Sequence, residues 1–176
     1  YGYEPATGKE LWRFEERAQH SASTRPIVAN GHIFIQTGFG KGQLIALKTP
    51  SDGLVPDSSV AWRISKGVAN KPSLIHQNGL LFMIDDAGIG SCIDASSGDV
   101  VWSQRVGGNF SASPILADGK IVFLNEEGKA TTIAPAREFK LLGEGKFESG
   151  FMASPAVDGN DLILRTKTAL YRVGSR

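Results

Sequence analysis

Several groups of side chains in this sequence are of types that could do chemistry. The stretch "GFGKG" (38–42) has the glycines and lysine of a phosphate-cradling loop. No Ser or Thr follows the lysine, however, and the next residues, "QLIAL", have the character of a strand rather than of a helix N-terminus. A plain strand-to-strand loop is the expectation there. His20, His32 and His76 have no metal-ligand spacing, and His32 and His76 flank turns, as surface imidazoles do. Cys92 is the single cysteine, so neither an internal disulfide nor a thiolate metal cluster can form. Asp85–Asp86 and Glu126–Glu127 are vicinal carboxylates of the kind used in acid–base catalysis. They stand in like positions of successive repeats, which reads both as polar hairpin turns. Asp118 and Asp158 precede turn glycines and are turn chemistry. No Gly-x-Ser-x-Gly stretch occurs, and Ser, His and Asp form no triad-like arrangement. The expectation is that the chain is no enzyme and needs no cofactor.

The elements that would hold these residues recur along the chain. Pro26, Pro72, Pro114 and Pro155 are 46, 42 and 41 residues apart. After each comes a turn glycine (Gly31, Gly79, Gly119, Gly159) and then an apolar or alternating run: "HIFIQT", "LLFMID", "KIVFLN", "DLILRT". A second strand-like run follows each of these: "QLIAL", "SCID", "ATTIA", "LYRV". A turn and a tryptophan come next in "EPATGKELW" (4–12), "DASSGDVVW" (94–102) and the longer "KTPSDGLVPDSSVAW" (48–62). In "APAREFKLL" (134–142) the register puts Leu142 in the tryptophan slot, where it should be buried. With 21 glycines and turns this frequent, the chain has little room for helix. Four short strands per unit of about 40 to 45 residues describe an all-β β-propeller of four-stranded antiparallel blades. The whole units are 26–71, 72–113 and 114–154, and 155–176 with 1–25 makes a split fourth repeat, all in one domain over 1–176. Trp12, Trp62 and Trp102 are then wedges between adjacent blades.

The core Asp94, Ala95, Gly98 and Trp102, together with "SASP…DG", resembles the pyrroloquinoline-quinone (PQQ) repeat, and the resemblance spans essentially the whole chain. The copy at Ala6, Thr7, Gly8 and Trp12 has Glu4 and Pro5 where Asp and Ala would stand. Quinoprotein alcohol dehydrogenases and outer-membrane assembly lipoproteins of the BamB type share this repeat. The dehydrogenase branch implies bound PQQ with Ca²⁺ held by carboxylate and amide groups, a tryptophan beneath the quinone and, commonly, a vicinal disulfide above it. One cysteine cannot supply that disulfide, and all three tryptophans sit in the repeat slot. The assembly branch implies a non-catalytic module that binds or scaffolds a protein or peptide, in a periplasmic or extracellular setting. An oxidoreductase, of which this chain would be the C-terminal part, is the alternative, and a purely structural module of a cell-surface protein is a third.

Binding would fall to the loops that precede the first strands and converge near a propeller axis, at His20, Arg25, Lys71, Asn109 and Phe110. A net charge of +1 with scattered Lys and Arg excludes an electrostatic nucleic-acid site. No apolar run reaches the roughly 18 residues of a membrane span. The chain begins within a repeat, as a processed form or fragment would. Unpaired end strands invite association. Head and tail together hold 47 residues, one blade's length, and are expected to pair within one chain or between two as a homodimer, the alternative being that the chain is the C-terminal part of a larger propeller.

Overall fold

The computed structural model describes residues 1–16, 19–40 and 42–174. Among them there is no α-helix, and a single 3₁₀ turn spans Asp57–Ser59. Four antiparallel sheets follow one another along the chain. The first sheet is Ile27–Ala29, His32–Gln36, Leu44–Lys48 and Val60–Ile64; the second is Ile75–Gln77, Leu80–Ile84, Ile89–Asp94 and Val100–Arg105. The third is Ile115–Ala117, Lys120–Leu124, Lys129–Ile133 and Leu141–Lys146; the fourth has three strands, Ala156–Asp158, Asp161–Arg165 and Leu170–Val173. Strand order within each sheet follows chain order, as in propeller blades. The sheets form an arc that does not close.

The tight first hairpins explain the spacing of the repeats. Asn30-Gly31, Asn78-Gly79 and Asp118-Gly119 all have positive φ at both residues, the geometry of a two-residue turn whose twist suits flanking strands. Burial across each sheet falls from the second and third strands outward. Leu80–Ile84 is buried at every position, because a second-strand residue in an interior blade packs against a neighbouring sheet on either face. Its counterpart Asp161–Arg165 in the fourth sheet buries only Leu164, since that sheet has a neighbour on one side. Fourth strands are largely exposed, and Leu141–Lys146 wholly so.

Two devices join consecutive sheets. One is a tryptophan on the fourth strand that crosses to the next sheet: Trp62 Nε1 donates to the Ala95 carbonyl at 3.2 Å, and Trp102 Nε1 donates to the Ala136 carbonyl at 3.0 Å. A Cβ at Gly98 would stand 2.7 Å from the Trp62 ring, and the φ of +80° there also favours glycine. The other is a ladder of serines before the first strands. Arg25 N–H donates to Ser73 Oγ at 2.9 Å, Ser73 N–H to Ser113 Oγ at 3.0 Å, and Ser113 N–H to Ser154 Oγ at 2.9 Å.

The ladder also fixes the register of the repeats, and here the spacing of the prolines misleads. Arg25, Ser73, Ser113 and Ser154 are equivalent, so Leu74 occupies the place of Pro26, Pro114 and Pro155, and Pro72 lies two residues earlier. Leu142 is likewise not in the tryptophan slot. Trp102 faces Cys92 across the strand pair, and the residue facing the matching Thr132 is Gly143; Leu142 is 44% exposed. A one-residue shift in the irregular turn before Leu141–Lys146 accounts for the difference.

Head and tail do not share a sheet. Glu10–Arg13 pairs with Gly2–Tyr3 of its own hairpin and, in parallel, with Gly53–Leu54. Tyr3 faces Glu10 as Ile93 faces Val100, and Val173 faces Leu162 as Ile93 faces Leu81. Tyr3 and Val173 therefore hold the same third-strand position, and a blade made from both ends would have two third strands competing for one fourth strand. The split repeat fails for that reason.

Candidate functional site

The loops before the first strands and the hairpin tips between second and third strands lie at one end of the arc. At the tips, Asp85 Oδ1 accepts from Ala87 and Ile89 N–H at 3.0 and 2.8 Å, and Asn125 Oδ1 accepts from Glu127 and Lys129 N–H at 3.1 and 2.7 Å. These are turn-forming contacts. The register is therefore Asp85 with Asn125 and Asp86 with Glu126, one residue away from the pairing suggested by the doublets Asp85–Asp86 and Glu126–Glu127. The residues after the turn formers point toward the neighbouring linkers instead.

There they meet Lys71. Its Nζ lies 3.7 Å from Asp86 and 3.3 Å from Glu126, so one cation joins the second and third sheets. Asp86 also accepts the Asn70 N–H at 2.7 Å, and Glu126 accepts the Ser111 hydroxyl at 2.5 Å. Next to this, Glu127 accepts from both N–H and Nδ2 of Asn109 at 3.2 and 3.1 Å. The Ser111 hydroxyl first, then Lys71 and the more distant Lys167, hold the Glu126 carboxyl below the usual carboxylate range against the opposing effect of partial burial. Glu126 is thus an anion with donors around it, suited to holding loops in place and ill suited to delivering a proton at neutral pH.

Of the residues singled out in the sequence, Lys71 and Asn109 belong to this cluster. Arg25 is exposed and borders a concave face formed by the first strands, with Val28, Ile75, His76 and Leu116. His20 is placed by its backbone, paired with Phe39. Phe110 is no surface residue: it is 1% exposed and meets the Phe123 ring edge-on at 6.5 Å, because an aromatic ring in the linker fills the space beneath the loops. Asp86, Glu126 and Ser111 belong to the cluster but were not marked as binding residues in the sequence, since polar residues at a hairpin tip look alike until the neighbouring sheet is in place.

At the opposite end, Asp94 accepts from the Ser96 hydroxyl and N–H and pairs with Arg137 at 2.9 Å, contacts that hold its carboxyl well below the usual range. This ties the turn of the second sheet to the third. Gly8 takes the corresponding turn position in the head hairpin, with φ +70°.

The quinone site implied by the dehydrogenase branch finds no fit among these residues. Cys92 is buried, its thiol is pushed up to about 11 by burial, and it has no cysteine beside it. Trp62 and Trp102 are bound between sheets, and Trp12 packs with Ile33, Leu47 and Val55. Among the described residues, no three or more His, Cys, Asp and Glu side chains gather where they could hold a metal ion.

Successive four-stranded blades joined by tryptophans and a serine ladder define a propeller-type repeat protein. The family model for outer membrane protein assembly factor BamB matches residues 1–63 and again 55–138. The chain belongs to that family, whose unit is the PQQ-like repeat. A comparison with curated protein sequences finds no match. Among solved structures, BamB from Moraxella catarrhalis aligns with a TM-score of 0.63 at 16% identity, over 82% of this chain and 43% of that one. The quinohemoprotein alcohol dehydrogenase ADHIIG from Pseudomonas putida HK5 aligns at 0.68 and 16%, over 89% of this chain and 30% of that one. The computationally designed Ika8 protein aligns at 0.74 and 11%, over 98% of this chain and 51% of that one. The chain thus spans about half or less of each of these three proteins. At these identities the likeness is one of fold.

Proposed function

We propose that this chain is a non-catalytic binding and scaffolding module that holds a protein partner at the loop end of its blades. The observation that carries this reading is the Lys71 bridge. The carboxylates at that end are used to lock loops of adjacent sheets together, with Lys71 reaching both Asp86 and Glu126. A platform fixed in this way presents Arg25, Lys71 and Asn109 at little cost in ordering, which favours recognition of a protein surface. The family description, an outer membrane protein assembly factor, supports a protein as the partner and the periplasmic side of the outer membrane as the place. No helix among the described residues is long and apolar enough to cross a membrane.

Photo-crosslinking side chains at Arg25, Lys71 and Asn109, with one at Leu141 as control, test the proposal in cells. Protein adducts from the first three positions and none from Leu141 are the expected result. Adducts of equal yield from all four would reject the loop end as the binding surface. Mixing the purified chain with PQQ and Ca²⁺ addresses the oxidoreductase alternative. The quinone absorbance is expected to stay unchanged, and a stoichiometric shift would favour the enzyme reading.

A further inference from the structure

The slots between consecutive sheets are built alike, except for one. In the first, Trp62 lies against Phe34, with ring centroids 5.8 Å apart, opposite Ala46. The far wall is Leu81 and Ile93 of the next sheet. In the second, Trp102 lies 6.1 Å from Phe82, opposite Cys92, with Ile121 and Ile133 as the far wall. In the third slot, between the third and fourth sheets, register puts Val122 in the place of Phe34 and Phe82. Gly143 takes the place of the tryptophan, opposite Thr132, while Leu162 and Val173 retain the apolar far wall. Both rings are missing from one slot. A cleft of about 730 Å³ lies there, lined by Val122, Thr132, Leu162 and Val173 and also by the charged Asp118, Lys120 and Asp161. It falls within the roughly 300–1,000 Å³ usual for ligand pockets.

We propose that this cleft is a docking site for a tryptophan side chain presented by a protein partner. The two sister slots show what the shape accepts, since each is filled by an indole of the chain itself. Val122 and Thr132 form one wall and Leu162 and Val173 the other, at the positions of the walls that hold Trp62 and Trp102 but with a valine where those have a phenylalanine. Among the described residues, a Cβ at Gly143 would meet nothing within 4 Å, so no described side chain stands in the way of a ring from outside. The counterpart of Ala95, whose carbonyl receives the Trp62 N–H, is Ser175, outside the described residues; the four wall residues carry the inference. The site is independent of the loop end. A partner gripping both surfaces would gain affinity from each.

N-acetyl-5-fluorotryptophanamide, followed by ¹⁹F NMR against the whole chain, is a suitable probe, with backbone amide shifts to locate it. Binding with a Kd of about 1 mM is expected for a single anchoring side chain without its flanking peptide. The amides of Val122, Thr132 and Leu162 should shift, and N-acetyl-leucinamide should not displace the probe. Gly143→Trp should fill the slot from within, raise the melting temperature and lower probe affinity at least tenfold. Val122→Phe restores the ring that Phe34 and Phe82 set beside Trp62 and Trp102 in the sister slots, and should strengthen probe binding rather than weaken it. The proposal falls if the wild-type chain does not bind at about 10 mM probe, or if the shifts map elsewhere. It falls equally if a folded Gly143→Trp chain binds undiminished. The wild-type map decides the matter even where a variant fails to fold.

Discussion

At the scale of single residues, the interfaces between sheets depend on what a ring touches. Trp102 packs edge-on against Phe139 at 5.2 Å and beside Phe82, and its N–H is satisfied by Ala136. Trp102→Ala removes both the packing and the hydrogen bond and should cost about 3–5 kcal/mol, measured by urea unfolding. Two glycines allow conformational strain to be separated from contact. Gly8 and Gly98 both have positive φ, but a Cβ at Gly8 meets nothing, whereas one at Gly98 strikes the Trp62 ring. Gly8→Ala should cost about 1 kcal/mol from the left-handed backbone alone. Gly98→Ala should cost at least about 2 kcal/mol more, since the ring must move. Equal losses would mean that Trp62 yields freely. Glu126 sets a pH dependence. Its folded-state pKa lies below the unfolded value of about 4.3, so its contribution is complete at neutral pH. That contribution fades as pH falls from the unfolded pKa through the folded one. Glu126→Gln should therefore be less stable than wild type at pH 7, with the gap closing below about pH 4.

At the scale of elements, the serine ladder makes each linker depend on the next. Ser113 accepts from Ser73 N–H and passes the register on through its own N–H to Ser154. Ser113→Ala leaves the Ser73 N–H without its acceptor in a half-buried linker, which should cost about 1–2 kcal/mol. Ser154→Ala removes the acceptor at the edge of the arc, where water has easier access, and should cost less. The ladder has a direction, and at its other end stands Arg25, a donor that cannot accept an N–H from a preceding linker. The head hairpin accordingly joins the first sheet by other means: Trp12 packs on the first-sheet core and Glu10–Arg13 runs parallel to Gly53–Leu54. Thermal melts of the two serine variants check the order of effects, and equal losses would show that the edge linker is as enclosed as the central one.

At the scale of the whole molecule, the arc behaves as a linear repeat array, where each sheet is stabilised by its neighbours. The second sheet has both, and its Leu80–Ile84 strand is fully buried; the fourth, among the described residues, has one neighbour, a third strand paired along one edge only, and Val157 59% exposed. Hydrogen exchange should be slowest over Leu80–Ile84 and Ile89–Asp94 and fastest, among the four sheets, over 156–173. Uniform protection across the sheets would mean that unfolding is one cooperative event and that the edge is stabilised by something else. The first-strand valines Val28 (69%) and Val157 are likewise exposed.

The strand content and the wedge role of Trp62 and Trp102 were legible in the sequence, because alternation, turn residues and a repeated ring are local signals set by the geometry of a strand and a two-residue turn. Lys71 and Asn109 were legible as loop-end residues for the same reason, since their distance from the first strands is fixed by the repeat. The register of Pro72, the exposure of Leu142, the burial of Phe110 and the failure of head and tail to pair were settled only by the tertiary structure. Each of these depends on which residue of one sheet faces which residue of the next. Linkers and turns of unequal length can shift that facing by one or two residues without changing the local pattern at all. The empty slot beside Gly143 has the same origin: a glycine and a valine are unremarkable in their own strands, and only the walls of the neighbouring sheet turn them into a cleft.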